Sequence, residues 1–286
     1  MLLVYLLLLW LLHLPLVVRS YNYCNHKKKL CDLEHFDHFI CKDKDLTPFN
    51  KDTRLLAVLP DTQILRDMIV RFHNVHRDRL ASGSVMTSMN KSFPAAARMR
   101  ELIWDNELGY MARLHASTVS FKHSECRATT RFPLAGECLG LVFPSSEPRS
   151  IEELINLTLQ KMFDEFEMVD EPEELAKSYH ADRDQDVGHF TVMINDRVSR
   201  VGCGIAVGNN CIGLNNTMGH CHFLTCHYDF TNVHQSYVYQ TGDIGSRCGD
   251  WNAKVSSRYT SLCTNTGKIY TQDPAESETK IQSDIY

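Results

Sequence analysis

The fold of this chain is decided by the stretch Gly188-His189-Phe190-Thr191-Val192-Met193-Ile194 and by Val201-Gly202-Cys203-Gly204-Ile205-Ala206, which follows it closely. The first part reads as a short apolar turn that carries one histidine. Because glycine lacks a Cβ atom, Gly188 lets the backbone approach whatever the His189 imidazole faces. The second part places a cysteine between two glycines at the start of an apolar strand. A histidine on such a turn is more often structural than ligating, so the remaining chain must supply the context.

Composition points to a secreted, disulfide-bonded protein. The chain has 286 residues, 43% of them hydrophobic, which suits one sizeable domain with extensions. Residues 2–12 are almost wholly apolar but too short for a comfortable membrane span. With Val18-Arg19-Ser20 they predict a secretory signal peptide over 1–20, cleaved near Tyr21, and an uncleaved anchor is the alternative. No later segment of the sequence is expected to span a bilayer.

The charge and the cysteine content further restrict the class of protein to which this chain can belong. Removing 1–20 takes away one arginine and no acid, so 29 Lys and Arg (30 − 1) face 35 Asp and Glu, a net charge of −6. A chain with this net negative charge lacks the excess of positive charge that binds nucleic acid. The 11 cysteines indicate an oxidising compartment, and their odd number leaves at least one thiol free or bonded to another chain. Sequons for N-glycosylation begin at Asn90, Asn156 and Asn215.

Three helices are predicted from apolar residues at helical spacing. The first opens at Pro60-Asp61-Thr62 with Asp61 as its N-cap, and it ends at Ser82-Gly83. The second follows Asp105, and the third begins at Ser150 as part of a capping box with Glu153. The apolar faces are Ile64, Leu65, Met68, Ile69, Phe72, Val75 and Leu80, then Leu108, Met111, Ala112 and His115, then Ile151, Leu154, Ile155, Leu159, Met162, Phe163 and Phe166.

The rest of the chain reads as strands and loops. Residues 201–207 and 221–228 are predicted strands, joined by a long hairpin rich in Gly and Asn. Residues 21–60 read as irregular loops pinned by disulfides, and 168–187 are polar and acidic. The end of the chain after Lys268 is predicted to be disordered.

Four segments resemble, in the correct order, the signatures of the CAP superfamily, also called SCP/TAPS, which includes antigen 5, cysteine-rich secretory proteins and PR-1. They are FxHSxC with His123, the Gly-Glu pair with Glu137, the FDE helix with Glu165, and GHFT with His189. Two helical segments also resemble the family, HNxxR…ASG from His73 and MxxLxW from Met99. The resemblance runs from about Ile64 to Tyr228.

The resemblance implies a fold, a domain plan and a site. The fold is α+β, an α-β-α sandwich with a small antiparallel sheet bounded by disulfides. The plan is a signal peptide (1–20), a cysteine-bearing N-terminal extension (21–60), a CAP domain (61–232) and a C-terminal extension with one disulfide (233–286). In the family, four residues converge in a central groove: His123, Glu137, Glu165 and His189. The two histidines are candidate ligands for zinc or another divalent ion, oriented by the carboxylates, and no cofactor is required.

Some positions depart from the family pattern. Cys138 replaces the Asn of Gly-Glu-Asn, while Val192 and Asn195 replace the Gln and Trp of GHFTQxxW. One groove amide and one indole are therefore lost, but all four ionisable residues are kept.

The cysteines resemble those of insect antigen 5-like proteins. That resemblance pairs Cys24 with Cys41, Cys31 with Cys126, Cys203 with Cys226, and Cys248 with Cys263. One further bridge of that subfamily is absent, since Val119 stands at the position of one of its cysteines. Cys211 and Cys221 flank the hairpin turn and could pair, which leaves Cys138 free beside Glu137. A free Cys138 admits a Cys-His nucleophile, although a buried thiol or a mixed disulfide is simpler.

The function implied by the resemblance is that of a secreted, extracellular and non-enzymatic monomer. Its groove would present the His and Glu side chains to a lipid, a peptide or a protein partner. The alternative is a metal-dependent hydrolase in which Glu137 or Glu165 is the base and His123 and His189 hold the ion. No self-sufficient catalytic motif such as HExxH or GxSxG accompanies them. A third hypothesis is a structural component of venom or secretory fluid without a ligand.

Overall fold

A computed structural model of the chain describes residues 22–24, 31, 37–41, 46–142, 149–213 and 217–270. The predicted signal peptide, the sequon at Asn215 and residues 271–286 of the predicted disordered tail lie outside these residues.

The described part of the chain contains five strands and five α-helices. The strands are β1 (Arg54–Val58), β2 (Ile103–Trp104), β3 (Gly136–Val142), β4 (Arg200–Ile212) and β5 (Met218–Tyr228). The helices are α1 (Gln63–Ala81), α2 (Asn106–Ser117), α3 (Ile151–Asp164), α4 (Pro172–Lys177) and α5 (Gly188–Met193). Short 3-10 helices cover Glu165–Met168, Gln185–Val187 and Cys248–Trp251.

The strands form one sheet in the order β1-β4-β5-β3, antiparallel throughout, with β2 added to β4 in parallel. Helix α2 lies very close to one face. A Cβ atom on Gly202 would sit 2.0 Å from the Gly109 nitrogen, and one on Gly204 would sit 2.5 Å from the Arg113 backbone. Only glycine permits this approach. Helices α1, α3 and α5 cover the opposite face, where their apolar residues share one core with β4 and β5. The predicted α-β-α sandwich is confirmed.

The N-cap of the first helix lies one residue later than predicted. The Thr62 hydroxyl accepts a hydrogen bond from the Leu65 nitrogen at 3.3 Å, so Thr62 is the N-cap and the assignment to Asp61 is wrong. Asp61 instead forms an ion pair with Arg66 at 2.7 Å. The helix ends as predicted at Ser82, and Gly83 follows with a φ of 76°. That left-handed conformation favours glycine after a helix.

The predicted apolar faces are partly wrong at their edges. Ile64, Val75 and Ile151 are 74%, 46% and 40% exposed. On α1 the buried face instead includes three polar residues, His73, Asn74 and Arg77, which bond to neighbouring segments. The α2 stripe is buried as predicted, and Asp105 caps that helix through the Glu107 and Leu108 nitrogens. Ser150 caps α3.

Several elements differ from the sequence-based expectation. β4 and β5 are longer than predicted, since β4 runs on to Ile212 and β5 begins at Met218. β1 lies in a region predicted to be irregular, and α4 lies in the polar 168–187 segment. The apolar stretch from Gly188 is a short helix and not a turn. β4 is buried on both faces over most of its length, so its two-residue alternation is weak and its ends are hard to place.

The C-terminal segment joins the main core. Val238, Tyr239, Tyr259 and Leu262 belong to the same buried cluster as the residues of α1 and α3. Trp251 is buried, and its indole nitrogen donates to the Arg98 carbonyl at 2.8 Å. Residues after 232 therefore contribute to the stability of the folded domain.

Five disulfides are present, and their pairs are those anticipated above: Cys24–Cys41, Cys31–Cys126, Cys203–Cys226, Cys211–Cys221 and Cys248–Cys263. Cys138 is a free, buried thiol. Within the described ranges, no helix combines the length and apolarity needed to cross a membrane.

Candidate functional site

The Glu137 carboxylate is the centre of a buried hydrogen-bond network. Glu137 lies in β3 opposite His227 of β5, and its side chain has no exposed surface. One oxygen accepts from His123 Nδ1 at 2.8 Å and from the Ser124 nitrogen at 2.9 Å. The other accepts from the Ser124 hydroxyl at 2.8 Å and from His227 Nε2 at 3.0 Å. Because a carboxylate only accepts, these histidine nitrogens must carry their protons.

This network keeps Glu137 ionised. Burial alone would raise the pKa of Glu137, but hydrogen bonds from His123 and His227, with Arg127 nearby, hold that pKa well below its usual range. The Arg127 guanidinium lies 3.8 Å from the carboxylate. Burial lowers the pKa of His115, 3.5 Å from the carboxylate, to about 4, so this imidazole is neutral near pH 7. A carboxylate with a strongly lowered pKa is a weak base.

A second His–Glu pair joins the end of α3 to the start of α5. Glu165 follows the last residue of α3, and one of its oxygens accepts from His189 Nδ1 at 2.5 Å. The other oxygen accepts from the Phe190 nitrogen at 3.0 Å. Helix α5 is held in turn by Asn232, whose amide donates to the Gly188 carbonyl at 3.0 Å. The position of His189 is therefore set by both its helix and its carboxylate.

Both pairs present an imidazole in the same way. Nδ1 of His123 and of His189 is bonded to a carboxylate, which leaves Nε2 of each ring available for a ligand. The side chains of His123 and His189 are 59% and 33% exposed, whereas those of Glu137 and Glu165 are 0% and 14% exposed. A buried carboxylate behind an exposed imidazole fixes the tautomer and the ring orientation, as in many metal sites.

The structure groups the four predicted residues two by two. Among the described residues, one group places at least three His, Cys, Asp or Glu ligand atoms within 4.8 Å of one another, and it consists of His180, Asp182 and His234. No three of the predicted four meet that distance. If His123 and His189 held one ion together, two further ligands from a partner or from solvent would be needed to complete its tetrahedral coordination.

Cys138 is poorly suited to be a nucleophile. It follows Glu137 in β3, so its side chain points to the opposite face of the sheet, into the main core. Its exposed fraction is 1%, and burial raises the pKa of its thiol far above the usual range. In register it lies beside Cys226, which is bonded to Cys203. A buried, protonated thiol is chemically inert.

Sequence reasoning missed the residues that complete the Glu137 network. The sequence predicts only a packing role for His115 on α2, and it places His227 in a strand without a role. The register that sets His227 opposite Glu137 decides its role, and that register depends on a strand that was not predicted. Ser124 directly follows the predicted His123, which is the one local signal available.

The positions that depart from GHFTQxxW are buried. Val192 and Asn195 have exposed fractions of 4% and 1%. Val192 belongs to the main core, and the Asn195 carbonyl accepts from Arg77. These substitutions therefore affect packing beneath α5. Of the predicted glycosylation sites, Asn90 and Asn156 are exposed, as attachment of a glycan requires.

Comparisons with known proteins agree with this fold. Residues 70–228 match the Cysteine-rich secretory protein family, CAP. Venom allergen-1 of Aedes aegypti is 30% identical over 207 residues, which cover 72% of this chain and 74% of that protein. The antigen 5 like allergen Cul n 1 of Culicoides nubeculosus is 31% identical over 203 residues, 66% of this chain and 84% of that protein. A crystal structure of NaASP2 with Zn²⁺ has a TM-score of 0.57 at 20% identity, covering 71% of this chain and 98% of that one.

The chain belongs to the CAP family. Its similarity to insect venom allergens places it among the antigen 5-like members, as the cysteine pattern implied.

Proposed function

We propose that this protein is a secreted, extracellular binding protein that recognises its partner through His123 and His189. The observation that carries the proposal is that each exposed imidazole is held by a less exposed carboxylate with both oxygens already bonded. Such rings are fixed in orientation before a ligand arrives, which lowers the entropy lost on binding. The partner is a lipid, a peptide or a protein, and the protein acts as a monomer.

The same geometry argues against catalysis. A general base needs a free lone pair and a pKa near the working pH. Glu137 has four hydrogen bonds to its two oxygens and a strongly lowered pKa, so it is a poor base. The hydrolase alternative then rests on Glu165. If ester or peptide hydrolysis in the presence of zinc were lost in Glu165→Gln but kept in Glu167→Gln, the non-enzymatic proposal would be wrong.

Material that co-purifies with the secreted protein is the direct test of binding. Wild type, the double variant His123→Ala/His189→Ala and the exposed control His220→Ala would be purified in parallel from the same medium. We expect a lipid, peptide or protein with wild type and with His220→Ala, and its loss from the double variant. Equal recovery from all three would place the binding surface elsewhere.

Zinc is expected to bind at His123 and His189. The relative NaASP2 has been crystallised with Zn²⁺, and the imidazoles here present Nε2 as its ligand atoms. Calorimetric titration should show weakened binding in His123→Ala or His189→Ala, with folding retained because the disulfides and helical core are untouched. Affinity should also fall as the pH drops from about 8 to about 5, because a protonated imidazole cannot bind a metal.

The zinc prediction has a clear contrary result. His220→Ala should titrate like wild type. If both site variants also titrate like wild type at every pH, the two pairs serve only as structural hydrogen bonds. Binding that strengthens on acidification would equally contradict ligation by neutral imidazole.

Secretion is expected to begin the mature chain near Tyr21. The apolar run at 2–12, the small residues before Tyr21 and the five disulfides support export to an oxidising compartment. Mass spectrometry of protein from the medium of expressing insect cells should find an N-terminus within a few residues of Tyr21. A chain that starts at Met1 and stays with the membrane fraction would show the alternative, an uncleaved anchor.

A further inference from the structure

A second cluster of metal-binding side chains lies on the segment before α5. It is formed by His180 and Asp182, between α4 and α5, and by His234, which follows β5. One ligand atom from each residue lies within 4.8 Å of the other two. We propose that His180, Asp182 and His234 bind one divalent transition-metal ion, with zinc preferred, at a site separate from His123 and His189.

The backbone around the cluster is fixed by hydrogen bonds between its two segments. Tyr179 and Ser236 form an antiparallel bridge, in which the Tyr179 nitrogen donates to the Ser236 carbonyl at 2.8 Å. The Gln235 nitrogen donates back to the Tyr179 carbonyl at 2.7 Å. His180 directly follows Tyr179, and His234 directly precedes Gln235. Two ligands from distant parts of the sequence are therefore placed together before any ion binds, which favours binding.

The ring nitrogens show how the cluster would change on binding. His180 Nε2 lies 3.0 Å from the Ser178 hydroxyl, which leaves Nδ1 as its free ligand atom. Such an outer hydrogen bond orients a metal-bound imidazole. His234 Nδ1 accepts from the Ala181 nitrogen at 3.2 Å, so the neutral ring carries its proton on Nε2. Coordination through either nitrogen of His234 breaks this bond.

The surroundings suit a cation. His180 is partly buried, and Asp182 and His234 are exposed, so an ion can enter from solvent. Arg183, which follows Asp182 in sequence, is already paired with Asp184 at 2.7 Å. Asp184 also accepts from the His180 nitrogen at 2.8 Å and stiffens the turn. The two rings cross edge to face with centroids 5.4 Å apart.

The donor set selects the class of metal. Two imidazoles and a carboxylate match zinc and neighbouring first-row ions better than calcium or magnesium, which prefer oxygen. Three protein ligands leave a fourth position for water or for a group on a partner. The site adjoins the segment of His189. Asn232, which lies two residues before His234 in sequence, donates to the carbonyl of Gly188, the residue before His189. A bound ion would therefore tie 178–184 to 232–236 beside the proposed binding surface.

The test uses untagged, full-length secreted protein with zinc and with cobalt(II) as a spectroscopic probe. The double variant His123→Ala/His189→Ala serves as the background, so that the first site cannot contribute. In this background we expect one ion per chain, with cobalt absorption typical of nitrogen and oxygen ligands. Adding His234→Asn or Asp182→Asn should weaken binding at least about tenfold. Asn at 234 keeps an acceptor for the Ala181 nitrogen, so folding should be preserved.

The control and the contrary results separate the two sites. His220→Asn in the same background should bind like its parent. If the background binds no ion, or if His234→Asn and His220→Asn bind equally, the proposal is overturned. If the second site binds as expected but His123→Ala and His189→Ala show no loss of zinc binding, only the zinc prediction for His123 and His189 is overturned. Circular dichroism of every variant checks that lost binding does not reflect unfolding.

Discussion

Replacing Arg77 by methionine is expected to lower the free energy of unfolding by about 3 kcal/mol or more, because each buried carbonyl left without a hydrogen-bond donor costs about 1–3 kcal/mol. Arg77 lies on the buried face of α1 with an exposed fraction of 1%. Its guanidinium makes five hydrogen bonds to four backbone carbonyls, those of Arg100, Met193, Asn195 and Val198. Methionine preserves most of the apolar stem but removes every donor. The Asn195 carbonyl keeps the Val198 nitrogen at 3.2 Å, and the other three carbonyls lose the Arg77 guanidinium.

The location of those carbonyls connects Arg77 to the proposed binding surface. Met193 and Asn195 end and follow α5, the helix that carries His189. Arg77 therefore holds the end of that helix against α1. In Arg77→Met we expect α5 to loosen as well, which hydrogen exchange of the 188–195 amides would detect as faster exchange relative to β4.

The matched control is Arg71→Met on the exposed face of the same helix. Both changes remove one arginine from α1 with the same new side chain, so helix propensity and net charge change equally. Urea unfolding should give a small effect for Arg71→Met, within about 0.5 kcal/mol. If the two variants unfold at similar urea concentrations, the carbonyl cluster does not depend on Arg77.

Arg77 also shows how far the sequence could lead. The HNxxR segment identified the family and placed α1 correctly, because apolar spacing and end signals are local. The role of its polar residues was not visible. His73, Asn74 and Arg77 bond to groups at Tyr228, Leu102 and Met193, which are brought close only by the folded sheet and loops. Spacing alone predicts which residues share a helix face, but it does not say which carbonyls face them.

For the candidate site, too, the sequence predicts some features and only the folded structure reveals the others. The resemblance named His123, Glu137, Glu165 and His189, and the structure bonds them as two pairs. Their common groove stays a prediction, since the two pairs do not bring three ligand atoms within 4.8 Å. The cluster of His180, Asp182 and His234 had no signal, because His234 lies 54 residues after His180 and the two segments meet only in the folded chain.

As the pH is lowered, this protein is expected to lose stability at pH values well above those at which its carboxylates titrate. Burial lowers the pKa of four histidines to about 4, namely His38, His73, His76 and His115. In the unfolded chain the same rings titrate near about 6.5. Between these values the unfolded state binds protons that the folded state excludes, so stability is full above about pH 6.5 and falls as the pH drops toward 4.

The size of the effect follows from the linkage relation. At pH 5 a histidine with these two pKa values costs about 2 kcal/mol, so His73 and His115 alone remove about 4 kcal/mol. Glu137 adds to the loss only below its unfolded value of about 4.3, because its pKa is lowered in the fold. Asp229 acts in the opposite direction, since burial raises its pKa. The histidines dominate because they are more numerous and titrate first.

The measurement is urea unfolding from pH 7.5 to pH 4.5, read as the slope of the unfolding free energy against pH. Wild type should lose several kcal/mol, about 1.4 kcal/mol per pH unit for each excluded proton. His73→Gln removes one buried histidine and should reduce the slope by about the contribution of one excluded proton. The exposed control His220→Gln should leave the slope unchanged. His73→Gln also loses the bond to the Tyr228 hydroxyl and is less stable at every pH. The slope is independent of that loss, so an unchanged slope in His73→Gln, or a flat wild-type profile, would mean that the buried histidines do not couple folding to pH.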